Sequence, residues 1–136
     1  DEGTVIYEGT DAYTLHIGKA GEYTADYTVY DSNGNRKLQQ STVYVADTEA
    51  PQIKVSGIKA AVKAGEEITL PTAEITDNGT PADEIAGYIY VIKGNNRKQL
   101  AGKTYKFTEA GEYIIRYVAY DSYQNYTVAE FTINCK

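Results

Sequence analysis

The sequence predicts an all-β protein made of two tandem β-sandwich domains, the first of them incomplete. Three observations predict it. The first is an internal repeat: Gly21-Glu22-Tyr23-Thr24-Ala25-Asp26-Tyr27-Thr28-Val29-Tyr30-Asp31 returns as Gly111-Glu112-Tyr113-Ile114-Ile115-Arg116-Tyr117-Val118-Ala119-Tyr120-Asp121. The second is its period-two alternation, which puts Tyr23, Ala25, Tyr27 and Val29 on one face of a strand, and Tyr113, Ile115, Tyr117 and Ala119 on the matching face of its copy. Both faces are expected to be core. The third is composition, since 14 Tyr and 12 Gly with no Trp and no Met, in a chain rich in Thr and Val, favour strands and turns over helices.

The copies begin at Gly21 and Gly111, a period of 90 residues (111 − 21). That is too long for solenoid or propeller repeats and suits an immunoglobulin-like sandwich of roughly 100 residues. In chain order, residues 4–8 and 12–17 read as two short strands around a turn at residues 9–11, with Tyr13, Leu15 and Ile17 on one face and His16 on the other. After the repeat, Ser32-Asn33-Gly34-Asn35 reads as a hairpin turn, because Asn-Gly is the strongest short-range hairpin signal. A return strand follows, with Val43 and Val45 inward and Tyr44 outward.

Asp47-Thr48-Glu49-Ala50-Pro51 reads as a short, stiff boundary, since Pro51 lacks a backbone donor and holds Ala50 extended. The expected division is therefore a partial immunoglobulin-like domain over residues 1–47 and a full one over residues 48–136. In the second, strands are expected near residues 52–56, 59–63, 67–70, 73–76, 88–92, 97–100, 103–107, 111–120 and 126–134. Residues 103–107 correspond to residues 13–17. Only 20 residues precede the first Gly-Glu-Tyr, so the first domain reads as incomplete: either its opening strands are cut away, or it is a smaller variant that hides its exposed edge in another way, since an uncovered edge would invite pairing with another chain.

The formal net charge of −6 and pI near 4.8 give no electrostatic footprint for nucleic acid. No apolar run reaches the roughly 18 residues of a membrane helix and no signal peptide opens the chain, so it reads as a soluble piece of something longer. The single Cys135 cannot form an internal disulfide, and its alternation with Phe131 and Ile133 places it inward as a small apolar residue. The redox compartment stays open.

Ala-Gly-Glu-Tyr followed by an inward small or apolar residue resembles the start of strand F in immunoglobulin domains, where a tyrosine two residues before the cysteine makes the tyrosine corner. Tyr23 and Tyr113 hold the corner position. Ala25 and Ile115 hold the cysteine position, so the resemblance implies an apolar core with no disulfide. Gly-Glu-Tyr, then Tyr-Asp-Ser with Asn four residues after the Asp, together with the boundary from Asp47 to Pro51, look like the tandem bacterial immunoglobulin-like domains of surface and secreted proteins. That resemblance covers nearly the whole chain. It implies an extracellular or cell-surface location and a role as spacer, adhesion segment or accessory domain beside neighbouring domains of a longer chain.

Candidate sites are few. Asp31, Asn33 and Asn35 have the spacing that opens a calcium loop, but Arg36 and Thr42 stand where an EF-hand needs Gly and Glu, which leaves a hairpin turn. The boundary acids Asp47 and Glu49 are the better cation candidates, combining with turn carboxylates to hold calcium as cadherin linkers do, or else serving as solvated linker charges. Lys54 and Asn134 have the order of an isopeptide pair, yet the alternation that buries Ile53, Val55 and Ile133 turns both outward.

Tyr30, Tyr44, Tyr120 and Tyr126 alternate outward, either as ordinary strand residues pairing across the ladder or as a contact surface for a glycan or protein. Asp83 and Glu84 read as loop surface charge. His16, the one histidine, has no nucleophile near it in sequence, so no catalytic residue and no enzymatic activity is expected. Two functions follow: a non-catalytic spacer or adhesion module, or a carbohydrate-binding accessory module of a secreted enzyme.

Overall fold

The structure, a computed structural model, describes residues 8, 9 and 11–136; residues 4–7 of the first expected strand and Thr10 of its turn lie outside these. Two compact units divide between Val45 and Ala46, so Ala46 and Asp47 belong with the second.

Unit 1 is a hairpin. Strand β1 (Gly21–Tyr30) pairs antiparallel with β2 (Arg36–Val45), with Gly21 opposite Val45 at one end and Tyr30 opposite Arg36 at the other. The turn between them runs over residues 31–35, longer than a two-residue Asn-Gly turn, and Gly34 takes a φ of 79°. Asp31 organises it: one carboxylate oxygen accepts the backbone N–H of Asn33 and of Asn35, each at 2.8 Å, and the other accepts the Asn35 side-chain amide at 2.6 Å. A carboxylate so engaged is a turn anchor, and these donors hold its pKa below the ordinary carboxylate value, led by the Asn35 side chain.

Two expectations for this unit fail. Residues 12–17 form no strand, and Tyr13 and Leu15 are about half exposed at 53% and 50%. Alternation alone cannot hold a strand, because its backbone groups need a neighbour. Second, the expected core face of β1 is open towards the turn: Tyr27 is 56% exposed and Val29 65%, and Val43 across the ladder is exposed as well, while Tyr23 and Ala25 are half-buried. Among the described residues of this unit, β1 and β2 have only each other, and two strands cannot bury a face.

Unit 2 is an immunoglobulin-like β-sandwich. One layer is a five-stranded sheet in the order β4 (Ala61–Val62), β11 (Tyr126–Cys135), β10 (Gly111–Tyr120), β7 (Ala86–Lys93), β8 (Asn96–Gln99). All neighbours are antiparallel except β4, which runs parallel to β11. The order β11-β10-β7-β8 is that of strands G, F, C and C′ in immunoglobulin sandwiches. Facing it are two short pairs, β3 (Gln52–Lys54) with β6 (Glu74–Thr76), and β5 (Glu67–Thr69) with β9 (Thr104–Lys106). A 3-10 turn at Ala82–Glu84 precedes β7, and Asp83 and Glu84 are exposed there.

The second copy of the repeat is the middle of this core. Tyr113, Ile115, Tyr117 and Ala119 are all buried, the first three packed with Val62, Ile68, Leu70, Val91, Phe107 and Ile133. Phe107 stands edge-on to both Tyr105 and Tyr113 at 4.9 Å between ring centres, an arrangement worth about 1 kcal/mol per pair beyond area burial. Cys135 is buried at the strand end, while Lys54 and Asn134 are exposed.

Candidate functional site

Each sequence-derived candidate has a definite place. The two corner tyrosines make the same bond: the Tyr113 hydroxyl donates to the carbonyl oxygen of Glu109 at 3.0 Å, and that of Tyr23 to Lys19 at 2.9 Å. The Glu109 carboxylate also takes Lys93 Nζ at 2.6 Å, and Lys93 lies 5.1 Å from the Tyr113 ring centre. Glu109 accordingly raises the pKa of Lys93, and Lys93 lowers that of Glu109. Tyr117 fastens the sandwich from inside, its hydroxyl donating to the Pro71 carbonyl oxygen at 2.8 Å, and burial pushes its pKa up.

The four outward tyrosines do not form one set. Tyr30 and Tyr44 are exposed, 65% and 75%, but sit at opposite ends of the hairpin. Tyr44 is opposite Glu22, so eight residues of strand, roughly 27 Å, separate the two positions. Tyr120 and Tyr126 are direct ladder partners with ring centres 5.5 Å apart. Tyr88 joins them, edge-on to Tyr120 at 6.2 Å.

This outer face of the five-stranded sheet continues through Val118 and Val128 to Tyr90, where Arg97 lies 5.0 Å over the ring, and to Arg116, ion-paired with Glu130 at 2.5 Å. Together they line a shallow groove of aromatic rings with two guanidinium groups at its rim. Tyr88, Tyr90, Arg97 and Arg116 lie on three different strands, so no local spacing in the sequence brings them together. Placing Tyr90 opposite Arg116 was the missing step.

A second assembly lies at one end of the sandwich. Asp47 precedes β3, Asp77 follows β6, and Asp121 opens the β10–β11 turn, and one carboxylate oxygen or more from each lies within 4.8 Å of the others. Asp121 repeats the role of Asp31, accepting the N–H of Tyr123 and Asn125 at 2.8 Å and the Asn125 amide at 2.7 Å. That amide also donates to the Asp47 carbonyl oxygen at 3.1 Å, tying the strand-entry segment to the turn. Asp77 Oδ1 accepts the N–H groups of Gly79 and Thr80, and Asp47 Oδ1 that of Glu49. Burial pushes the Asp77 carboxyl pKa up, but the hydrogen bonds from the Gly79 and Thr80 N–H groups outweigh it and leave the value below the ordinary one.

The group differs from the pair expected from sequence. Asp47 is in it, but the Glu49 side chain is exposed and outside it, and Asp77 and Asp121 take its place. Both come from loops distant in the chain, which no local spacing could pair. His16 is exposed in the first unit.

Fold and sites together define an immunoglobulin-like sandwich preceded by a hairpin of related sequence. No protein-family model matches the sequence, and no curated protein sequence matches it. Among solved structures, the fibronectin(III)-like modules of Clostridium thermocellum CbhA match with a TM-score of 0.44 and 21% identity, over 86% of this chain and 63% of that one. This chain thus spans less than two thirds of that chain's length.

Proposed function

We propose that the chain is a non-catalytic module of a larger extracellular protein that spaces or presents neighbouring domains at a bacterial surface or in a secreted assembly. The supporting observation is mechanical. In unit 2 the early strand β4 runs parallel to the last strand β11, held by bonds from Asn134 N to Ala60 O, Lys136 N to Val62 O and Ala64 N to Lys136 O at 2.8–3.0 Å. Tension applied at the two ends of the unit, once past the short β3–β6 pair, loads these bonds between parallel strands together, in shear. A spacer under load needs that resistance, and forced unfolding is governed by the unfolding barrier. Ala64→Pro deletes one of the three donors, and single-molecule pulling should show a lower unfolding force, by more than the change in equilibrium stability accounts for. An unchanged force would remove the mechanical basis of the reading.

One observation favours a second reading, binding of carbohydrate by an accessory module. Tyr88, Tyr120 and Tyr126 are gathered on one exposed sheet face, and flat rings with a polar tip stack on sugar rings. On that reading a glycan array gives saturable binding that Tyr126→Ala weakens at least tenfold. Silence across plant and bacterial polysaccharides would leave the spacer reading alone.

A further inference from the structure

The end of unit 2 where the β10–β11 turn meets the strand entry concentrates negative charge without an opposing cation. Asp47, 9% exposed, and Asp121, 3% exposed, are two of the three buried polar residues of the described chain. The ion pairs among the described residues join Lys59 to Glu66, Lys93 to Glu109 and Arg116 to Glu130, so none reaches these aspartates. Asp47 Oδ2 and Asp77 Oδ2 are each inaccessible and have no hydrogen-bond partner. An unpaired buried carboxylate oxygen costs several kcal/mol, so two of them beside a third carboxylate call for a positive species between them.

The backbone makes room for this arrangement. A Cβ on Gly79 would lie 2.3 Å from Asp47 Oδ2 and 2.8 Å from its carboxyl carbon, so glycine alone lets the Asp47 head reach the Asp77 loop.

We propose that Asp47, Asp77 and Asp121 form a divalent-cation site suited to calcium, which clasps the entry segment of unit 2 to its own Asp77 loop and β10–β11 turn. The donor set is all oxygen, the choice of a hard cation. Calcium–oxygen distances of about 2.3–2.6 Å allow two ligands of one ion to stand up to about 5 Å apart, so carboxylate oxygens that all lie within 4.8 Å of one another can share one calcium ion. Asp47 Oδ2 and Asp77 Oδ2 are the free donors. Asp121 Oδ2 accepts a single hydrogen bond and keeps a lone pair. Because the ligands come from three separate segments, the ion joins parts of the unit that only the native fold brings together. It therefore stabilises that fold by mass action. The site is independent of whether the module spaces domains or binds glycans.

The test is calorimetric titration of the chelator-treated chain with calcium chloride, with melting curves recorded alongside. Saturable heat is expected, with a Tm rise on the order of 10 °C at a hundredfold excess over the dissociation constant. Asp47→Asn should weaken binding at least tenfold, while Asp31→Asn, at the matching turn of unit 1, should leave it unchanged. If Asp47→Asn does not fold, Asp77→Asn carries the same comparison. Absence of heat and of any Tm shift at millimolar calcium would overturn the proposal and assign a shared proton to the Asp47 and Asp77 pair. A shift that both variants at the site retain would overturn it equally, placing the ion elsewhere.

Discussion

Strands β1 and β10 start from nearly the same words and end in different environments. Both open with Gly-Glu-Tyr, both pin that tyrosine hydroxyl to the carbonyl four residues earlier, and both pair along ten positions with the strand that follows. Both end in an Asp that gathers the same three donors from the turn. Yet Tyr117 is 3% exposed and its counterpart Tyr27 is 56%. Local geometry travels with the repeat; burial does not. Among the described residues, β10 has β7 on its other side and two strand pairs across the core, and β1 has neither. The hydrophobic contribution of an inward residue is therefore set by the rest of its unit, and the same side chain counts for much in one copy and little in the other.

The sharpest way to break this comparison is to truncate the matched tyrosines. Tyr117→Ala removes a buried ring, its contact with Phe131 and its bond to Pro71, and should cost about 4 kcal/mol. Tyr27→Ala, at the same place in the repeat, should change stability by no more than about 0.5 kcal/mol. Urea denaturation of both variants measures the difference. Comparable losses would mean that the face of β1 is covered in solution.

The local likeness of the two copies is legible in the sequence, and the difference in their burial is not, for a physical reason. Period-two alternation located β1, β2, β10 and β11 and assigned the inward residues of β10 correctly, because side-chain direction in a strand is a local property. The same logic misjudged Tyr27, Val29 and Val43, since burial needs a second surface that alternation cannot supply. It also proposed a strand at residues 12–17, where none forms. The sites divide in the same manner. Tyr120 and Tyr126 were legible as a pair across a hairpin, whereas Tyr88 reaches them only through the pairing of β7 with β10. Asp47 stood out as a boundary acid, but its companions Asp77 and Asp121 read as ordinary turn residues. Only the closing of the sandwich makes them neighbours.

The smallest difference between the copies lies in the turn, and it offers the finest test. The fourth turn residue is Gly34 in the first copy, at φ 79°, and Gln124 in the second, at φ 70°. Left-handed backbone is free for glycine and costs an ordinary L-residue about 1 kcal/mol. Unit 2 therefore carries a strain that unit 1 avoids, tolerated because β10 and β11 are held by a whole sandwich, whereas among the described residues of unit 1 the ladder of β1 and β2 is a two-stranded one. Gln124→Gly should stabilise unit 2 by about 0.5 kcal/mol, the relief being partly offset by the greater freedom of glycine in the unfolded chain. The exchange in the other direction should be felt more. Gly34→Gln should speed amide hydrogen exchange of Asp31 and Asn35 about fivefold, the consequence of roughly 1 kcal/mol lost from a two-stranded hairpin. If Gly34→Gln leaves that exchange unchanged, the hairpin is held by contacts beyond its own ladder, and the two copies differ less in environment than in sequence.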